Sequence, residues 1–199
     1  MFALIFGLSF LANAQDVQNN QPKGYQFTDI KRLPANSVKD QARAGTCWAW
    51  SGISFFESEM IRMGKEPIDL SAMYIVRHAY SDKATKFVRL HGNMNFAVGG
   101  AFCDVMHVIQ NYGIVPMDVY KGLNYGEPNH AFGEIDDVLA GYINAVIKNS
   151  NKKLSTAWKK GFDGILDAYL GEEPEKFEYK GKEYTPRTFA DEVVGLNMD

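Results

Sequence analysis

The stretch Gln41-Ala-Arg-Ala-Gly45-Thr-Cys47-Trp48-Ala-Trp50-Ser51 constrains this chain more than any other. A glycine-containing loop gives way at Cys47 to an amphipathic run. Ala49, Ile53, Phe56, Met60 and Met63 recur at a 4-3-4-3 spacing, which is one face of a helix. Gly64 follows as a C-terminal stop. The spacing predicts a helix over 47–63 that begins at a thiol, with a glutamine six residues upstream.

That placement has chemical content. Only the thiolate of a cysteine is a nucleophile, and a helix N-terminus favours the anion through its dipole and its unpaired N–H groups. The same amides, with a nearby glutamine amide, can hold the oxyanion of a tetrahedral intermediate. Acyl transfer also needs a base, normally a histidine oriented by a third group. Taken alone, a cysteine is more often a small buried hydrophobe.

Composition sets the outer bounds. The 199 residues are 46% hydrophobic and 23% charged, ordinary for one globular domain or slightly more. A net charge of −3 offers no footprint for nucleic acid. The two cysteines, Cys47 and Cys103, make neither a disulfide framework nor a zinc cluster. Residues 1–14 form an apolar run too short to span a bilayer. It ends in Ala12-Asn13-Ala14, the small-x-small pattern of a signal-peptide cleavage site, although no Lys or Arg precedes it. The expectation is export to the periplasm or the exterior, with no membrane association after cleavage.

The remaining chain reads in order. Residues 25–40 are an irregular extended lead-in. Ser71 is a plausible N-cap for a helix to about Tyr80. Residues 81–100 read as polar and irregular, closing on Gly99-Gly100, paired glycines that mark a close backbone approach. A helix over 101–112 carries Phe102, Val105, Met106 and Ile109 on one face, with Gly113 as its stop. Periodicity over 132–147 and again over 154–170 predicts a helical hairpin, the second arm weakened by Gly161 and Gly164. A short β-hairpin fits 177–184. Thr185-Pro186 then opens a last helix.

The words around Cys47 resemble the active-site segment of papain-like cysteine peptidases, Gln-x3-Gly-Ser-Cys-Trp-Ala-Phe-Ser, with Thr46 for Ser and Trp50 for Phe. Leu70-Ser71, Gly99-Gly100, Tyr112-Gly113-Ile114 and Tyr120-x-Gly122 look like later words of that family in the same order. The resemblance covers about 34–122. It implies an α+β fold whose mainly helical left lobe is present and whose β-rich right lobe is largely missing. Ala44 stands where the family usually has a disulfide cysteine, and a helical insertion over about 126–172 follows the lobe. Both features look like the bleomycin hydrolase/aminopeptidase C branch, where the insertion goes with oligomerisation, to hexamers, and the C-terminus limits the enzyme to N-terminal residues. The implied domains are a signal peptide (1–14), the left lobe (15–125), the insertion (126–172) and the start of a remainder (173–199).

The resemblance implies Cys47 as nucleophile, with Gln41 and the Cys47 N–H as oxyanion hole. Gly99, Gly100 and Trp48 would line the peptide cleft. No metal or cofactor is implied. The expected activity is removal of N-terminal residues from peptides through a thioester acyl-enzyme, with this chain alone inactive. A non-catalytic peptide-binding or assembly module is the alternative. The family's histidine and asparagine are not found. His130 sits in a misleading Asn129-His130-Ala131 word and reads as opening a helix. His107 reads as structural, His78 as meeting the dipole at a helix end, and His91 as exposed. Cys103 reads as core. With His107 at i, i+4 it could offer a metal only two ligands. A Cys47–Cys103 disulfide would block the thiol chemistry.

Overall fold

The computed structural model describes residues 24, 25 and 27–196. The expected signal peptide lies outside them. The chain divides into two units, Met1–Arg32 and Leu33–Asp199. The described residues of the first are irregular backbone. The second holds α1 (Cys47–Arg62), α2 (Ala72–Arg89), α3 (Phe102–Tyr112), α4 (Gly133–Ile147), α5 (Ala157–Leu170), β1 (Phe177–Tyr179), β2 (Lys182–Tyr184) and α6 (Pro186–Phe189). A π-type turn over Ala190–Val194 continues α6. The architecture is α+β and mainly helical.

Helix α2 is the element on which α1, α3, α4 and α5 all pack. Its residues from Ala72 to Ser81 are buried without a break, which only a helix covered on every face can sustain. Ser71 caps it: the hydroxyl accepts from Tyr74 N at 3.0 Å and donates to the Tyr120 carbonyl at 2.6 Å.

The sequence predicts that this helix stops near Tyr80, and the structure corrects that. It runs two further turns to Arg89, because Ala84, Phe87 and Val88 extend the buried stripe. Ser81, Asp82 and Lys83 look like loop residues but bond to neighbouring elements. Ser81 donates to Asp163 of α5 at 2.8 Å, and Asp82 accepts from Tyr112 of α3 at 2.7 Å. The helix ends without the usual glycine. His91 itself takes a positive φ of 50°, its N–H bonding Val88 O while Gly92 N bonds Phe87 O. His78 therefore lies in mid-helix, away from any dipole end.

Helix α1 ends as its sequence foretells. Gly64 (φ 79°) bonds back to Ile61 O and Lys65 N to Met60 O. Met63, expected on the buried face, is instead the cap and 48% exposed. Beneath α1, Glu57 is buried, accepting from Leu70 N at 2.8 Å and from Lys39 Nζ at 3.1 Å.

The predicted helical hairpin is present as α4 and α5. Gly161 is a contact rather than a weakness: a Cβ there would stand 2.2 Å from the Tyr142 hydroxyl, which donates to Trp158 O at 3.0 Å. Arg77 of α2 ties the hairpin down, pairing with Asp167 at 2.5 Å and with Glu173. The β-hairpin is also present, with Phe177 opposite Tyr184 and positive φ at Lys180 and Gly181. Among the described residues no helix is long and apolar enough to cross a membrane.

Candidate active site

Two positive-φ residues shape the loop that leads to the thiol. Ala42 (φ 50°) donates its N–H to Asp40 at 2.7 Å, and Gly45 has φ 65°. Between them Arg43 pairs with the segment before α4, its N–H on His130 O at 2.9 Å. Thr46 is buried and occupies the N-cap of α1, but its hydroxyl does not cap the helix. It accepts instead from Trp50 Nε1 at 3.2 Å. Cys47 is thus the first residue of α1, exposed and unbridged. Its N–H and that of Trp48 have no acceptor among the described residues, as expected of a first helical turn without a side-chain cap. Gln41 is half-buried at the start of the same loop, and its Oε1 is buried with no partner. No hydrogen bond joins it to Cys47.

Trp48 links this helix start to the glycine pair. Its indole N–H donates to Val98 O at 2.9 Å. Gly100 lies flat on the ring: a Cβ there would come within 2.5 Å of two ring carbons. Gly99 has open space where its Cβ would be. The Val98 side chain packs beside Gly45, 3.2 Å from where a Cβ would lie. The backbone over 98–100 is therefore held against the face of the indole that follows Cys47 in sequence.

The papain family cysteine protease profile matches residues 22–159. The chain belongs to that family. Its fold is similar to the crystal structure of PepW from Lactobacillus rhamnosis HN001, with a TM-score of 0.60 at 21% identity. The match covers 86% of this chain and 46% of PepW, so the chain spans about half of that protein's length. No curated protein sequence matches it. The α+β fold with a mainly helical lobe is that of the papain family.

Within this papain-family lobe, no histidine hydrogen-bonds Cys47 among the described residues. His107 is exposed, with Nε2 at 3.2 Å from Asp82 and Nδ1 at 3.2 Å from the Asn111 amide. Each of its nitrogens thus has a polar neighbour. Cys103 is itself exposed rather than core, because α3 buries Val105, Val108 and Ile109 instead. Phe102 is likewise turned outward, against Phe55 and Phe56. No group of three metal-ligating side chains occurs among the described residues.

His130 does not open the helix: α4 starts at Gly133, and His130 lies in the segment paired with Arg43. Its ring tilts against Trp50 with centroids 6.0 Å apart. It lines a cavity of about 340 Å³ with Trp50, Met73 and Leu123, and Cys47 is not among the walls. Burial lowers the basicity of His130.

His78 stacks on Tyr112 at 4.1 Å and stays neutral, pushed down to about 3 by burial and then by the Arg77 charge. Glu173 lies 3.3 Å from its Nε2 but is turned to Arg77 and gives no hydrogen bond, so desolvation prevails.

A residue that sequence reasoning missed is Lys83. Its ammonium donates to Gly99 O and stands 5.2 Å from the Trp48 ring centroid. The only signal was its place on the extended buried stripe of α2, one residue before Ala84.

Proposed function

We propose that this lobe carries the nucleophile of a cysteine aminopeptidase. The observation that carries it is the exposed Cys47 thiol on an uncapped α1 N-terminus beside the Trp48–Gly100 wall. In this reading the Cys47 thiolate attacks the carbonyl of the first peptide bond. The Gln41 amide and the Cys47 N–H stabilise the oxyanion. The amine leaves with a proton, and water then hydrolyses the thioester. The bleomycin hydrolase/aminopeptidase C affinity, export, and self-assembly through α4 and α5 belong to the same proposal. The helical hairpin and Ala44, where the family usually has a cysteine, support the first and the last of these; the apolar run over 1–14 ending in Ala12-Asn13-Ala14 supports export.

One observation favours a second reading, a peptide-binding module without catalysis: His78, His107 and His130 have their own surroundings, and none supplies a base to Cys47. Two measurements separate them. The protein expressed from its gene is given matched fluorogenic amides with free and with acetylated N-termini. Cleavage of the free form alone, lost in Cys47→Ala, is expected. Equal cleavage of both refutes the aminopeptidase restriction. No cleavage by a protein that still binds peptides establishes the module.

A further inference from the structure

The glycine wall is held by side chains at two successive carbonyls. Val98 O accepts from the Trp48 indole and Gly99 O from the Lys83 ammonium. Lys83 comes from α2, two residues beyond Ser81, and is half-buried. It stands over two aromatic rings, Trp48 at 5.2 Å and Tyr80 at 5.8 Å. Burial makes its charge harder to keep, and Asp104 at the start of α3 works the other way. A cation in that setting needs strong acceptors, and a carbonyl with two ring faces supplies them. No disulfide holds this loop, since both cysteines are free. Beyond it, Ala101 N is taken by Asp104 at 2.8 Å.

This leaves a defined remainder. With Val98 O, Gly99 O and Ala101 N occupied, the Gly100 N–H and carbonyl make no hydrogen bond among the described residues. One N–H and one carbonyl on a single residue are what an extended peptide needs to pair one of its own residues, as an added strand does.

We propose that Lys83 is a positioning residue: by gripping Gly99 O and capping the Trp48 ring, it fixes the Gly100 edge for pairing with one residue of an extended peptide. The proposal rests on the cleft being a peptide site. Lys83 does not touch the reacting atoms. It sets how well a peptide backbone is presented to Cys47, not how reactive the thiol is.

The test compares two alkylating reagents with one warhead on the 199-residue chain. Chloroacetone reports thiol reactivity alone. A dipeptidyl chloromethyl ketone reports reactivity plus backbone recognition. Mass spectrometry assigns label to Cys47 or Cys103. In the unmodified chain the dipeptidyl reagent is expected to label Cys47 faster than chloroacetone does, with no such preference at Cys103. Lys83→Met is expected to cut that preference about tenfold while leaving the chloroacetone rate unchanged, and Lys83→Arg to restore most of it. If the unmodified chain shows no preference, the peptide-cleft reading fails and this proposal with it. If the preference is present and Lys83→Met keeps it, the Lys83 role alone is overturned. Equal loss with both reagents in Lys83→Met shows a merely structural residue and also overturns it.

Discussion

The Trp48 ring occupies the space a Gly100 side chain would need: a Cβ would stand 2.5 Å from its Cδ2 and Cε2 atoms. That contact joins the helix bearing Cys47 to the Gly99-Gly100 loop.

Gly100→Ala forces ring and backbone apart. Overpacking of this kind costs about 1–3 kcal/mol, and the loss should appear in urea unfolding. Gly99→Ala is the contrast, since nothing lies within 4 Å of its Cβ position. Alkylation of Cys47 by the dipeptidyl reagent should slow in Gly100→Ala and change little in Gly99→Ala. Equal effects at the two positions would remove the indole contact from the account.

What could be read in advance follows from where the information is local. The 4-3-4-3 run after Cys47, the Gly64 stop and the Thr185-Pro186 start are set by residues a few positions apart. The second half of α2 is different. Ser81, Asp82 and Lys83 are polar because they bond Asp163, Tyr112 and Gly99, and no window along the chain shows those partners. The same holds for the α2 stop, where His91 takes the left-handed position usually given to glycine. At the site, the thiol and the glycine pair were legible as words. Trp48 was legible as a cleft residue too, but its seat on Gly100 and the ammonium behind Gly99 were not, because those contacts depend on α1, α2 and the glycine loop meeting in space. Cys103 and Phe102 were misplaced for a related reason: α3 has two apolar edges, and packing against α1 and α2 decides which is covered.

Glu57 should be the most sensitive carboxylate under α1. Its side chain is 1% exposed and satisfies Leu70 N and Lys39 Nζ. Burial raises its pKa, whereas Lys39, less enclosed, is raised despite burial by hydrogen bonds to Asp69 and Glu57. The two shifts differ over who gains from the pair, and the more buried Glu57 is the better guide to the cost of breaking it. Glu57→Ala leaves Leu70 N–H without its acceptor and should lose about 3 kcal/mol. Glu57→Gln keeps an oxygen for Leu70 and should lose less. A melting temperature unchanged in Glu57→Ala would contradict this.

His78 should make the fold acid-sensitive. Its folded pKa of about 3 lies below the ordinary 6.5. Between those values the unfolded chain binds a proton that the native one refuses. Stability from this site is therefore complete above pH 6.5 and declines as pH falls toward 3. Between about pH 7 and pH 5 the loss should be roughly 2 kcal/mol. His78→Phe keeps the stack on Tyr112 and should flatten that part of the stability curve. Parallel curves for the two proteins would show that His78 is not the cause.

Asp136 should act with the opposite sign. It lies in the first turn of α4, 3.4 Å from the Tyr80 hydroxyl, and burial lifts its pKa from 3.8 to about 6, with Asp137 adding to the rise. The native chain therefore holds a proton that the unfolded chain has already lost. Charging Asp136 weakens the fold as pH rises through about 6, and that cost is absent below 3.8. Asp136→Asn removes the charge and keeps an acceptor for Tyr80. Discounted for partial solvent exposure, it should gain about 1 kcal/mol near pH 8 and nothing near pH 3. The helix dipole opposes this, because a first-turn carboxylate is normally favourable by about 0.3–1 kcal/mol. The sign of the Asp136→Asn effect near pH 8 thus decides whether desolvation or the dipole prevails. A destabilised variant there would mean that the dipole does.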